Sequence, residues 1–183
     1  MRVLCLGNEL LADDSLGSVV ADRIRQFAPA DVEVLSTPET GFHLLDYVLN
    51  VNRLIVVDTV VTGTAPPGTI YALHDHELKA VPGGSPHYVG LYETLALARM
   101  LGLPVAEEVI FLAVEAADCS TLGGEIDPAV RAAIPSVVGI VRGMMHTVGK
   151  CPIPTAAEAL VECPISADVG HFARRQIVTF LSK

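Results

Sequence analysis

The sequence predicts one α/β domain of three layers, in which a mostly parallel, twisted sheet carries helices on both faces. Two observations support this fold class. Apolar runs of four to eight residues alternate with amphipathic stretches of helical period up to about residue 148. The run Arg53–Asp58 is apolar without alternation, as in a central parallel strand that is covered on both faces. We expect residues 1–149 to form this domain and residues 150–183 to pack on it as a C-terminal appendage.

The predicted elements alternate between strand and helix along the chain. Strands are predicted at 3–6, 32–36, 53–58, 69–73 and 109–114. Helices are predicted from 16 to about 29, from 40 to 50, from 87 to about 101 and from 127 to about 148. Asp127 offers an N-cap for the last helix, and Pro128 suits its first position. Pro135 should kink or restart that helix, because proline lacks the N–H that an interior position donates.

The composition excludes several classes of function. The 183 residues are 51% hydrophobic, which is enough for one buried core. A net charge of −9 without a basic cluster argues against binding nucleic acid. The apolar runs are too short to span a bilayer, which argues against membrane insertion. Met1-Arg2 leads straight into the first predicted strand without a signal-peptide pattern, and the four cysteines are scattered, so we expect a reduced, cytoplasmic setting.

Acidic and imidazole side chains follow the predicted strands. Asp13 and Asp14 end the loop after the first strand, Asp58 ends the central strand, and His87 opens a helix after a Gly/Pro-rich loop. The carboxyl ends of parallel strands lie at one edge of a sheet, where open α/β domains bind ligands, so these groups can converge. Two carboxylates and one imidazole suit a borderline divalent metal such as nickel or zinc.

Each of these residues also has a purely structural interpretation. Asp13 suits an N-cap, because a carboxylate accepts N–H bonds from the first turn of a helix and is favoured by its dipole. Asp58 could cap a turn, and a lone histidine such as His87 at a helix start is often a surface residue. Only their convergence would favour the metal site.

Four blocks of the sequence form a pattern: Leu6–Gly17, Val56–Asp58, Ser85–His87 with the helix after it, and Val114-Glu115 with Leu122–Val130. This pattern resembles the hydrogenase maturation endopeptidases, which process the C-terminus of nickel-iron hydrogenase large subunits. They occur in the family's order and cover roughly residues 2–148. The fold expected from this resemblance is phosphorylase/hydrolase-like.

The resemblance implies that Asp14, Asp58 and His87 match the family's three metal-contacting positions, as metal ligands and as catalytic residues. It implies that the protein is an aspartyl-type or metal-dependent endopeptidase. It also implies that the protein regulates the activity of a hydrogenase by controlling its maturation. The enzyme would recognise nickel already inserted in its partner, the large-subunit precursor, and then remove a short C-terminal peptide. Nickel is therefore carried by the substrate, and zinc or cadmium can take its place in crystals. We expect a monomer or a weak oligomer.

Water would attack the scissile bond, with the metal polarising the carbonyl or activating that water. Asp13 and Glu115 are candidates for an assisting base. The loops 62–68 and 79–86 are candidates for contacting the partner.

The sequence departs from the family pattern at two positions. Cys5 stands where the first glycine of a Gly-x-Gly-Asn turn is usual, and Ser15 stands where glycine is common after the acidic pair. Both residues are small, so we expect the loop to form.

One alternative function uses the same residues, and the others fit the sequence poorly. A nickel-sensing checkpoint or chaperone that does not cut would need the same three residues. A phosphoryl-accepting receiver domain needs a lysine near the end of its last strand to contact the phosphoryl group. The lysines of this chain, Lys79, Lys150 and Lys183, are not so placed, which disfavours this function. Cys119 and Ser85 lie outside any recognisable nucleophile motif. The two histidines of His74-Asp75-His76 could bind a metal, but an exposed edge or loop is the favoured interpretation. The spacing of Cys151 and Cys163 does not match a zinc knuckle.

Overall fold

The computed structural model describes residues 1–74 and 86–146, and the side chains of 86–89 fall outside that description. Within these residues the strands are β1 (Arg2–Leu6), β2 (Glu33–Thr37), β3 (Arg53–Val60), β4 (Ile70–His74) and β5 (Glu108–Glu115). They form one sheet in the order β2-β1-β3-β5-β4. All pairings are parallel except that of β4 with β5, which is antiparallel. The predicted α/β fold class, a single domain with a mostly parallel sheet, is confirmed.

Helices cover both faces of this sheet. The α-helices of the described part are α1 (Leu16–Arg25), α2 (Leu45–Val48), α3 (Pro86–Met100) and α4 (Pro128–His146), and short 3-10 turns occupy Asp13–Ser15 and Gly41–Leu44. One apolar cluster joins alternate strand residues to α1 and α4, and it includes Val3, Cys5, Ile55, Val57, Ile110 and Leu112. The other joins the intervening residues to α2 and α3, and it includes Leu4, Leu6, Leu54, Val56, Val109 and Phe111. The central strands therefore bury both of their faces, as their unbroken apolar runs indicate.

The segment predicted as a helix over residues 40–50 differs from the prediction. It forms the 3-10 turn Gly41–Leu44 and a single α-turn, α2. Gly41 has a φ of 59° and lies against Gly90 of α3. A Cβ added to Gly90 would lie 2.6 Å from the backbone nitrogen of Gly41. This close contact between backbones fixes the start of the segment, so tertiary packing overrides the helical period.

Pro135 does not restart the last helix. α4 runs from Pro128 to His146 with Pro135 inside it. Pro135 is exposed, whereas its neighbours Ile134 and Val137 are buried in the core. The proline therefore lies on the solvent face, where water can satisfy the carbonyl that loses its N–H partner.

Two glycines bring the first loop and α1 close to the end of β1. A Cβ on Gly17 would lie 2.0 Å from the backbone oxygen of Leu6, and one on Gly7 would lie 2.1 Å from that of Asp14. Gly7 also has a φ of 137°, a conformation that other residues rarely adopt. Glycine at these positions lets α1 begin directly over the carboxyl end of the sheet.

None of the helices in the described ranges has the length and apolar character to cross a membrane. The predicted appendage 150–183 lies outside the described residues, and its packing stays a prediction.

Candidate active site

Asp14 and Asp58, two of the predicted site residues, lie together at the carboxyl edge of the sheet. Thr59 links them: its hydroxyl donates to Oδ1 of Asp14 over 2.9 Å, and its backbone N–H donates to Oδ1 of Asp58 over 2.8 Å. Asp14 is 5% exposed and Asp58 1% exposed. The structure thus brings both residues to the carboxyl edge, because β1 and β3 are parallel neighbours.

The turn after β1 holds the other oxygen of Asp14. The backbone N–H of Asn8 donates to Oδ2 of Asp14 over 2.7 Å. The side chain of Asn8 closes the turn, since its Oδ1 accepts the N–H of Leu10 over 3.0 Å. Gly7-Asn8 is therefore the turn that directs the loop across the edge of the sheet.

His87 lies in the first turn of α3, near the same edge. Gly90, three residues later, packs against Gly41, which follows the carboxyl end of β2. Asp58 alternates with Val56 and Val60, which face the α2 and α3 side of the sheet. The backbone of His87 and the carboxylate of Asp58 are therefore on the same side of the sheet, while the side chain of His87 is outside the description.

Two carboxylates alone do not complete a metal site. Among the side chains that the structure describes, no three His, Cys, Asp or Glu residues are arranged to hold a metal ion. Asp14 and Asp58 supply oxygen donors, and the imidazole of His87 would add a nitrogen donor, a combination that suits nickel or zinc. The role of these three residues as ligands stays a prediction.

Asp13 holds two distant segments in place and does not cap its own helix. Its Oδ2 accepts the N–H groups of Ala117 and Asp118 over 2.8 and 2.9 Å. Its Oδ1 accepts the N–H of Asp127 over 2.6 Å. No side-chain cap bond is formed at the 3-10 turn or at the start of α1. The N-cap interpretation of Asp13 is wrong, because its carboxylate points across to the loop that leads into α4.

Glu115, at the end of β5, fixes the loop after β3. Its Oε1 accepts the N–H groups of Thr62 and Gly63, both over 2.8 Å. Its Oε2 accepts the hydroxyls of Thr62 over 2.6 Å and Tyr71 over 2.8 Å. Glu115 is 1% exposed. Glu115, like Asp13, uses both oxygens to hold the chain, which argues against the role of an assisting base.

Cys119 lies beside the site, although the sequence around it contains no recognisable nucleophile motif. Its thiol donates to the hydroxyl of Thr59, with 3.5 Å between Sγ and Oγ1. Burial raises the pKa of Cys119 to about 11, and the charges of Asp14, Asp13 and Asp58 add to this effect. A protonated thiol at neutral pH is a poor nucleophile.

Thr59 has no motif of its own in the sequence. The one signal for it is its position directly after Asp58, at the end of a buried strand.

The two departures from the family pattern fit the observed loop. Cys5 is fully buried in β1 and packs in the cluster of α1 and α4. Ser15 donates its hydroxyl to the carbonyl of Ala12 over 2.6 Å, within the turn that leads into α1.

Several other candidates lie wholly or partly outside the described residues. His74 ends β4, but Asp75 and His76 are outside. The same holds for most of the loop 79–86, which includes Ser85, and for Cys151 and Cys163.

Comparisons with known proteins agree on one family. A family model described as "Hydrogenase maturation protease" matches residues 19–143. The "Hydrogenase 2 maturation protease" of Escherichia coli is 35% identical over 108 residues, which cover 56% of this chain and 66% of that protein. The "Hydrogenase expression/formation protein HupD" of Rhizobium leguminosarum is 30% identical over 182 residues, which cover 94% of this chain and 88% of that protein.

Solved structures resemble the fold as well. The hydrogenase maturating endopeptidase HybD of E. coli superposes with a TM-score of 0.70 at 28% identity, covering 79% of this chain and 90% of that one. A solution structure of an endopeptidase from Escherichia coli gives a TM-score of 0.65 at 29% identity, covering 77% and 90%.

Proposed function

Because the chain belongs to the hydrogenase maturation protease family, we propose that it cleaves a C-terminal peptide from the precursor of a nickel-iron hydrogenase large subunit. Nickel already inserted in that precursor would be the signal that it recognises. The relatives named above carry names that tie them to hydrogenase maturation or formation. The observation that supports the proposal most directly is the pair of buried carboxylates, Asp14 and Asp58, that Thr59 links at the carboxyl edge.

The chemistry of this pair favours a cation that arrives from outside. Two carboxylates close together repel each other, and a divalent cation between them relieves that repulsion. His87 would supply a nitrogen donor from the first turn of α3. Three protein ligands leave coordination positions for groups of the substrate, so the precursor can present its nickel without surrendering it.

The substrate's nickel would polarise the scissile carbonyl or activate the attacking water. Asp14, Asp58 and His87 then act by binding and orienting that substrate. Cys119 has no nucleophilic role in this reaction, because burial raises its pKa to about 11 and the thiol is protonated at neutral pH.

Incubating the purified protein with nickel-loaded precursor and weighing the products tests this function. We expect the precursor to be shortened at its C-terminus, and nickel-free precursor to stay intact. Wild-type protein that leaves nickel-loaded precursor at full length would sink the protease proposal. If it still bound that precursor, a non-cutting checkpoint would replace it.

Two variants test the assigned residues. Asp58→Asn and His87→Ala should each lower the cleavage rate at least about 100-fold, because each removes one of three ligands to the substrate's metal. Exposed residues of the same types provide matched controls, Asp46→Asn and His43→Ala. The assignment is wrong if His87→Ala cleaves as fast as His43→Ala.

A further inference from the structure

Thr59 contacts both carboxylates of the candidate site with two different groups. Its N–H is fixed by the strand and holds Asp58, while its hydroxyl can rotate and holds Asp14. Thr59 is 2% exposed, so water has little access to replace that hydroxyl. The two ends of this contact, Asp14 and Thr59, are 45 residues apart in the chain.

A hydroxyl has one proton to donate, and the carboxylate of Asp14, which can only accept, receives it. The thiol of Cys119 donates to the oxygen of the same hydroxyl over 3.5 Å. The result is a directed chain of hydrogen bonds, from thiol to hydroxyl to carboxylate. Such chains strengthen their members, because each bond polarises the next.

Asp14 is thereby held at both oxygens by groups from different elements. Oδ1 accepts from Thr59 of β3, and Oδ2 accepts from the backbone of Asn8 in the first loop. A carboxylate fixed at both oxygens cannot rotate freely about its last bond, so its remaining lone pairs keep one direction. Outer groups that orient a metal ligand in this way typically contribute about 10–100-fold to metal affinity or activity.

We propose that Thr59 is the positioning residue that sets the Asp14 carboxylate for the substrate's metal, and that Cys119 acts through Thr59 by polarising its hydroxyl. This inference rests on the proposed function, since it concerns the same site. It assigns roles to two residues that have no direct contact with the metal in the proposed mechanism.

The test compares Thr59→Val, which keeps the shape and removes the hydroxyl, with Thr59→Ser, which keeps the hydroxyl. We expect Thr59→Val to lower kcat/KM for nickel-loaded precursor about 10–100-fold, and Thr59→Ser to stay within about threefold of wild type. Thr37→Val is the matched control, because it removes another buried hydroxyl, which contacts Tyr47 over 3.3 Å. A merely structural role predicts similar losses for both valine variants, and that result would overturn the proposal.

Cys119→Ala tests the second step of the chain. It should lower kcat/KM by less than Thr59→Val does, and it should have no further effect when combined with Thr59→Val, because the thiol then has no hydroxyl to polarise. Multiplicative losses in the double variant would overturn the role assigned to Cys119.

Titration of the precursor-free protein with nickel chloride by calorimetry separates this inference from the proposed function. Thr59→Val should raise the dissociation constant for Ni²⁺ about 10-fold or more relative to wild type, while Thr59→Ser restores it. If wild-type protein leaves the precursor uncut but binds Ni²⁺ more tightly than Thr59→Val does, the protease function is refuted and the positioning role is supported. Equal constants together with equal cleavage rates would overturn the positioning role. Wild-type protein that neither cuts the precursor nor binds the ion would overturn both.

Discussion

The two edges of the sheet hold their charged residues in different ways. At the amino edge, arginines pair with glutamates of neighbouring strands: Arg2 lies 2.7 Å from Glu33, and Arg53 lies 2.6 Å from Glu108. The arginines also hold the chain, since Arg2 donates to the carbonyl of Tyr47 and Arg53 donates to a carbonyl near the end of α4, both over 2.6 Å. Positive and negative charges cancel there.

At the carboxyl edge, N–H and O–H groups hold the buried carboxylates Asp13 and Glu115. Asp13 accepts from the backbone of 117, 118 and 127, and Glu115 accepts from Thr62, Gly63 and Tyr71. Such dipoles stabilise a carboxylate without cancelling its charge. The carboxylates of this edge therefore keep their negative charge, which favours the approach of a cation.

The largest effect that would test this comparison is expected at Asp13. Asp13→Asn should lower the free energy of unfolding by about 3 kcal/mol, because all three of its partners are backbone N–H groups, which cannot turn round to accept from an amide. Urea unfolding followed by circular dichroism measures it.

Glu115→Gln is the matched control for Asp13→Asn. Its Oε2 is bonded to the hydroxyls of Thr62 and Tyr71, which can rotate and accept from the new amide group. We expect a loss of about 1 kcal/mol. Equal losses of unfolding free energy in the two variants would mean that it does not matter whether the donors are fixed N–H groups or rotatable hydroxyls.

These hydrogen bonds also mark the limit of what the sequence predicts. The strands, α1 and the cap of α4 follow from local patterns: Asp127 accepts the N–H of Ala129 over 2.8 Å, as predicted for an N-cap. Asp13 has the same local signature, yet its partners lie 104 to 114 residues away. No spacing along the chain shows that contact, nor the one between Thr59 and Asp14, because both depend on which loops meet above the sheet. The carboxylates at the strand ends could be predicted, while the groups that hold them could not.

Alkaline pH should act on the carboxyl half of the sheet and leave the arginine pairs intact. Burial raises the pKa of Cys5, in β1, from 9.0 to about 12. The folded protein then keeps the thiol proton more tightly than the unfolded chain does, so this stabilisation is complete below pH 9 and is lost as the pH rises towards 12. The free energy of unfolding should fall by up to about 1.4 kcal/mol per pH unit in that window.

Cys5→Ala is the control for this titration. It should be less stable than wild type near neutral pH, because it leaves a small cavity, but its stability should fall less steeply above pH 9. Equal slopes for the two proteins, measured by urea unfolding from pH 8 to 11, would show that other groups cause the alkaline loss.

The smallest effects are expected from the ion pairs of the amino edge, and they differ by exposure. The side chain of Glu33 is 51% exposed and that of Glu108 is 25% exposed. Glu33→Gln should therefore cost less than about 0.5 kcal/mol, and the cost should vanish in 1 M salt, which screens exposed charges. Glu108→Gln should cost about 1 kcal/mol and keep most of that cost in salt, because its pair with Arg53 is less open to water. Unfolding at low and high salt measures both. Losses at Glu33 as large as those at Asp13 would remove the difference between the two edges, since exposed ion pairs would then stabilise the fold as strongly as buried carboxylates held by N–H groups.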